Sequence, residues 1–162
     1  MDGLSGELPP LLAVEPGYRN VLRSRQLILW LVLWIGAAAA DRLLLSGSGF
    51  HGLPTSAVPL LALISLSTAP QRIYARLRYR LTERFLQVMR GWLLHTDTTV
   101  PLVRVQHLDV TRGPLDKVFG TATLVVHTAG THNSIVTLPG LAPERAAEIR
   151  DIIREHVRTD FA

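Results

Sequence analysis

The sequence predicts an α+β membrane protein, in which an N-terminal transmembrane helical hairpin precedes a small antiparallel β-sandwich or barrel with a C-terminal capping helix. Three observations carry this expectation. Two apolar stretches, about 26–45 and 53–70, lie in tandem with arginines at their outer ends. After them come short β-rich segments punctuated by Gly, Pro and Asn. From Pro143 onward, apolar residues recur at helical spacing.

A bilayer core of about 30 Å needs roughly 20 mostly apolar residues per spanning helix. Gln26 to Leu45 has that length and is broken only by Asp41 and Arg42 near its far end, where charged side chains reach toward the headgroups. Leu53 to Ala69 carries no charge but sits at the short limit, which favours little tilt or local thinning of the bilayer. A cleaved signal peptide is the rival for the first stretch, because Ala38-Ala39-Ala40 before Asp41 resembles a small-residue cleavage site. The late position of the charged region and the second apolar stretch immediately after it favour the hairpin.

Charge then sets the orientation. Arg19, Arg23 and Arg25 precede the first span and Arg72, Arg76, Arg78, Arg80 and Arg84 follow the second, whereas the connecting loop from Ser46 to Gly52 has no Lys or Arg. The positive-inside rule places both termini in the cytoplasm. The formal charge of +4 is therefore topogenic and gives no reason to expect nucleic acid. Residues 71–90 hold six arginines against Glu83 alone, while residues 91–162 are close to neutral. The juxtamembrane arginines can also attract anionic headgroups at about 1 kcal/mol each. The absence of cysteine excludes a disulfide framework and agrees with a reducing compartment.

Three regions follow. Residues 1–25 are expected as a cytoplasmic tail, frayed over Met1 to Pro10 and ending in a short interfacial helix with Tyr18, Val21 and Leu22 on one face. Residues 26–70 form the hairpin. Residues 71–162 form the cytoplasmic domain, with strands expected at Leu77 to Thr82, Phe85 to Arg90, Trp92 to Val100, Val103 to Thr111, Thr121 to Thr128 and Ser134 to Leu138. No helix-length crossover separates them, so the sheet is antiparallel. In the last segment Ala146, Ile149, Ile152, Ile153 and Val157 share a helical stripe. Pro143 suits the first turn, and Glu144 is favourable near the helix N-terminus. About 90 residues suffice for one core.

The ordered motifs Arg78-Tyr79-Arg80-Leu81-Thr82, Leu86-Gln87-Val88-x-x-Gly91, Val100-Pro101-Leu102-x-Arg104-Val105-Gln106-His107-Leu108-Asp109-Val110, Gly113-Pro114-Leu115-x-x-x-Phe119-Gly120-x-Ala122-Thr123-Leu124 and Thr128-Ala129-Gly130 resemble the YdbS-like family of bacterial membrane proteins with a PH-like domain. The resemblance covers roughly residues 14–160. It implies a pleckstrin-homology-like fold of two packed antiparallel sheets closed by the C-terminal helix, in the plasma membrane of a bacterium. It implies no catalytic activity. Eukaryotic PH domains capture phosphoinositides with a basic first hairpin loop, whereas the corresponding turn here, at Glu83-Arg84, is short and holds an acid.

The motifs also have a physical reading of their own. Gly113-Pro114 and Gly120 are turn formers flanking a hydrophobic clip, Leu115 to Phe119, that can pin a sheet corner into the core, and Pro101 punctuates the preceding strand. Arg104 and Gln106 alternate with Val103 and Val105, which puts them on the polar face of a strand, free for backbone carbonyls, headgroups or a partner. Arg76 and Arg80 are the further candidates for partner or headgroup contact.

Other apparent sites carry less. Gly47-x-Gly49-x-x-Gly52 matches a dinucleotide fingerprint but follows a membrane span instead of a strand, and reads as a hairpin loop. The six histidines, His51, His95, His107, His127, His132 and His156, show no metal-type spacing. His95-x-Asp97 and His107-x-Asp109 put each pair on one strand face, as a solvated or cross-strand polar pair more often than a ligand set. No nucleophile elbow or P-loop is present. The expectation is thus a non-enzymatic module without metal or cofactor that touches membrane lipids and binds a protein partner or forms a homo-oligomer. An anionic-headgroup binder is the alternative, and a subunit of a transport or envelope-stress system comes third.

Overall fold

The computed structural model describes residues 8–92, 94–129 and 135–160, the last four by backbone alone. Met1 to Glu7, Gly130, His132, Ser134 and the side chain of Val157 therefore lie outside the described residues.

The apolar stretches form two long helices, α1 (Gly17–Leu44) and α2 (Leu53–Arg76). Both are long and apolar enough to cross a membrane. At about 1.5 Å per residue, α1 is about 42 Å long, more than a hydrocarbon core requires. The excess lies at its start, where the sequence predicts a separate interfacial helix. That expectation is corrected by the structure: the segment is the continuous beginning of α1, and Tyr18 and Val21 are buried in the core of the following domain. The amphipathic pattern is the same for either outcome, since a face that suits an interface also suits a protein core.

Before α1, the two-residue strand β1 (Leu12–Ala13) pairs antiparallel with β2 (Arg78–Leu81). β2 pairs with β3 (Phe85–Arg90), which pairs with β4 (Thr96–Pro101), giving a four-stranded antiparallel sheet in the order β1-β2-β3-β4. The hairpin is therefore inserted between two neighbouring strands of one sheet. The strand expected from Trp92 begins only at Thr96, after a turn. A 3-10 turn, Leu102–Arg104, leads into β5 (Val105–Thr111). The short helix α3 (Pro114–Phe119) separates β5 from β6 (Ala122–Thr128), and β6 pairs with β7 (Ile135–Leu141) in a second sheet ordered β5-β6-β7. The two sheets are not closed into a barrel. Helix α4 (Pro143–Asp160) packs on β5, β6 and the 3-10 turn.

Alternation builds the core, because successive strand side chains point to opposite faces. Leu86 and Val88 of β3, Leu124 and Val126 of β6, and Val136 and Leu138 of β7 point inward, and α4 contributes Ala146, Ile149 and Ile153. The membrane-side helix belongs to the same cluster. Val14, Tyr18 and Val21 join it, the Glu15 N–H donates to the Gly140 carbonyl at 2.7 Å, and the Tyr74 hydroxyl of α2 reaches the Val14 carbonyl at 3.3 Å. The domain core is thus completed by residues from before the hairpin.

Candidate functional site

At the far end of the hairpin, Asp41 is buried and its two carboxylate oxygens accept the Gly52 N–H at 2.9 and 3.0 Å. It also accepts the Thr55 hydroxyl at 3.0 Å, and His51 Nδ1 lies 3.5 Å away. Gly52 is the residue that opens α2, so the one acid inside the apolar stretches caps the second helix of its own hairpin. The glycine-rich run is the loop in front of that cap, as its position after a span predicts. Close to this end the Trp34 indole N–H donates to the Thr55 carbonyl at 3.0 Å, and nearer the domain Gln26 and Ser65 hydrogen-bond across the two helices. Such interhelical bonds hold spans together where lipid gives no hydrophobic drive.

At the corner between β4 and β5, Pro101, Arg104 and Gln106 are all exposed, but not by strand alternation. The 3-10 turn spaces the buried Leu102 and Val105 three residues apart and leaves Val103 61% exposed. Gln106 falls where the β5–β6 register shifts, between the pairs Val105 with Thr128 and His107 with His127. The expectation of one shared strand face for Arg104 and Gln106 is corrected: one sits in a turn and the other at a bulge, where an extra residue is left unpaired. The Arg104 carbonyl accepts the Ala129 N–H at 2.9 Å, fixing the turn to the end of β6.

The clip from Leu115 to Phe119 is helix α3. Pro114 occupies its first turn, and the Asp116 carboxylate accepts the Gly113 N–H at 3.0 Å and the Thr121 hydroxyl at 2.7 Å, which ties the two ends of the helix together. Gly120 closes it with φ of +66°, a conformation in which a side chain is strained. Leu115 and Phe119 pack against the core but are only half-buried.

Of the arginine candidates, Arg76 donates to the Trp92 carbonyl at 2.9 Å, fastening the β3–β4 turn to the end of α2. Arg80 is half-buried in β2, with its Nε shut off from solvent and without an acceptor among the described residues. Arg90 bridges the two sheets by donating to the Thr137 carbonyl at 2.9 Å.

Folding also assembles a cluster across β5 and β6. His107 Nε2 lies 3.0 Å from one Asp109 oxygen and His127 Nε2 3.4 Å from the other, on the solvent side of the sheet. His107-x-Asp109 is visible in the chain, but His127 joins only because β5 and β6 place it directly opposite His107. Asp97 instead accepts the Gln87 amide, at 2.8 and 3.0 Å. Among the described residues, no group of three or more His, Asp or Glu is arranged to hold a metal ion.

Two antiparallel sheets capped by a terminal helix, carried on two membrane-length helices, define a membrane-associated PH-like protein. Residues 27–157 match the Bacterial PH domain family, and the chain belongs to it. It is 40% identical over 81 residues to the UPF0699 transmembrane protein YdbS of Bacillus subtilis (strain 168), a match covering 50% of this chain and 49% of that protein. The match thus spans about half the length of that relative. No solved structure matches.

Proposed function

We infer that the chain is a non-enzymatic PH-like module that presents an interaction surface at the cytoplasmic face of a bacterial plasma membrane, to a protein partner or a second copy of itself. The observation that supports this best is how the domain's surface is divided. The side toward the hairpin is taken up by α1, whose Tyr18 and Val21 fill the core. The β4–β5 corner leaves an apolar side chain, Val103, exposed beside Arg104 and Gln106, whose side chains meet no hydrogen-bond partner among the described residues. An exposed valine alone is ordinary. Next to an arginine and an amide, in the turn that joins the edge strands of the two sheets, it has the make-up of a small interface. Cytoplasmic termini are supported by the arginine asymmetry around the spans.

A photo-crosslinker at position 103 of the full chain, in native membranes, should trap protein, and Arg104→Ala should reduce the yield without unfolding the domain. Equal trapping from position 117, on the exposed Lys117 of α3, would count against a surface at this corner. A reporter fused after Ala162 should be cytoplasmic and a tag at Ser48 reachable only from outside. A reporter found on the outer side reverses the orientation.

A further inference from the structure

A groove of about 500 Å³ lies where the hairpin meets the domain, walled by Leu22, Arg25 and Leu29 of α1, Ala69 and Ile73 of α2, and Trp92 of the β3–β4 turn. Its depth in the membrane follows from the helices. Exposed apolar side chains run along α1 from Leu27 to Ile35 and along α2 to Leu63 and Ile64, so Arg25 stands at the edge of the apolar zone. Leu29 is about one helical turn, or about 6 Å, deeper. The opposite wall is Trp92, 44% exposed and held in place by Arg76, and tryptophan favours this boundary depth.

The groove's polar groups are unequal. Gln26 and Ser65 also line it but bond to each other. No Asp or Glu lines it, and Arg25 has no carboxylate partner among the described residues. A guanidinium with free donors thus stands at headgroup depth above an apolar floor, and its geometry matches a phosphate. Lipids that merely surround a hairpin touch the spans alone. Here a turn of the soluble domain supplies the third wall.

We propose that this groove holds one glycerophospholipid of the domain-side leaflet, with its phosphate on Arg25 and an acyl chain along Leu29 and Ile73. The proposal requires the hairpin to span the membrane. It does not depend on which side the domain faces or on a partner at the β4–β5 corner.

The full chain, purified in a non-ionic detergent, is titrated with phosphatidylglycerol and with diacylglycerol of the same chains, and adducts are counted by native mass spectrometry. One phosphatidylglycerol per chain should persist under conditions that strip diacylglycerol. Arg25→Gln should lower its occupancy about tenfold, the scale of one lost charge-assisted bond. Ile73→Trp, which fills the groove without touching a charge, should do the same. Arg23→Gln removes a charge from an exposed position of the same helix and should change occupancy less than twofold. Equal losses from Arg23→Gln and Arg25→Gln would reduce the effect to diffuse attraction and overturn the proposal. So would equal retention of diacylglycerol, or an Ile73→Cys chain that crosslinks to a second copy while no lipid adduct appears.

Discussion

Gly140 is where the membrane helix locks onto the domain, and replacing it with alanine tests that junction directly. Its φ is +79°, and a Cβ built there would stand 2.6 Å from Tyr18 Cγ, 2.7 Å from Tyr18 Cβ and 2.9 Å from Cδ1. Two costs follow. A side chain in the left-handed region costs about 1–2 kcal/mol, partly offset by about 0.4–1 kcal/mol from a stiffer unfolded chain. Overpacking against a buried ring adds about 1–3 kcal/mol. Gly120 separates them, because its φ is +66° and nothing lies within 4 Å of its Cβ position. Gly120→Ala should therefore cost about 1 kcal/mol and Gly140→Ala about 2–4 kcal/mol. For a domain of this size the latter lowers the melting midpoint by about 10 °C or more. In a Tyr18→Gly background, which removes the Cβ as well as the ring, Gly140→Ala should fall back to the Gly120→Ala cost, leaving a coupling of about 1–3 kcal/mol. Thermal unfolding of the full chain in detergent, followed by near-UV circular dichroism, measures all four variants. Equal midpoints for Gly140→Ala and Gly120→Ala, or additivity with Tyr18→Gly, would show that α1 is not packed on the domain as described.

A chain beginning at residue 71 lacks Val14, Tyr18 and Val21. It should expose core surface, bind a hydrophobic dye and melt without a sharp transition, and a cooperative melt matching that of the full chain would refute this. Asp41→Ala removes the cap of α2 and should destabilise the hairpin by about 1–2 kcal/mol, read as faster hydrogen exchange at Gly52 and in the turn after it; unchanged exchange would mean the cap is idle. Phe119→Ala should cost about 1–3 kcal/mol, less than a fully buried ring, whereas Val118→Ala, at a position 75% exposed, should stay within about 0.5 kcal/mol. A loss for Phe119→Ala as small as that for Val118→Ala would put the ring outside the core.

The hairpin was legible because two charge-poor runs bounded by arginines satisfy a length requirement that few soluble segments meet. The inner strands were legible for a similar reason: Leu86 with Val88, Leu124 with Val126, and Val136 with Leu138 repeat at period two. β1 was not, because two residues carry no period and Leu12–Ala13 becomes a strand only by pairing with Tyr79 and Arg78. β7 was expected to stop at Leu138, since Pro139 and Gly140 are usual strand breakers; here they lie within it, opposite the start of α1. At the candidate corner, exposure of Arg104 and Gln106 was foreseen, but from an alternation that the 3-10 turn and the bulge replace. The groove at Arg25 had no sequence signature, because its walls come from three separate segments.

The position of β1 before the hairpin also imposes an order of events during synthesis. Leu12, Val14 and Tyr18 leave the ribosome before either span, yet β2, which pairs with Leu12, follows only after both spans, and Gly140, which receives Tyr18, comes after five further strands, β2 to β6. The domain cannot close before the hairpin is made. An N-terminal segment with an exposed tyrosine and valine face must wait beside the membrane until β7 arrives, and a hairpin in which only one of the two helices crossed would leave β1 on one side of the membrane and its partner strands on the other.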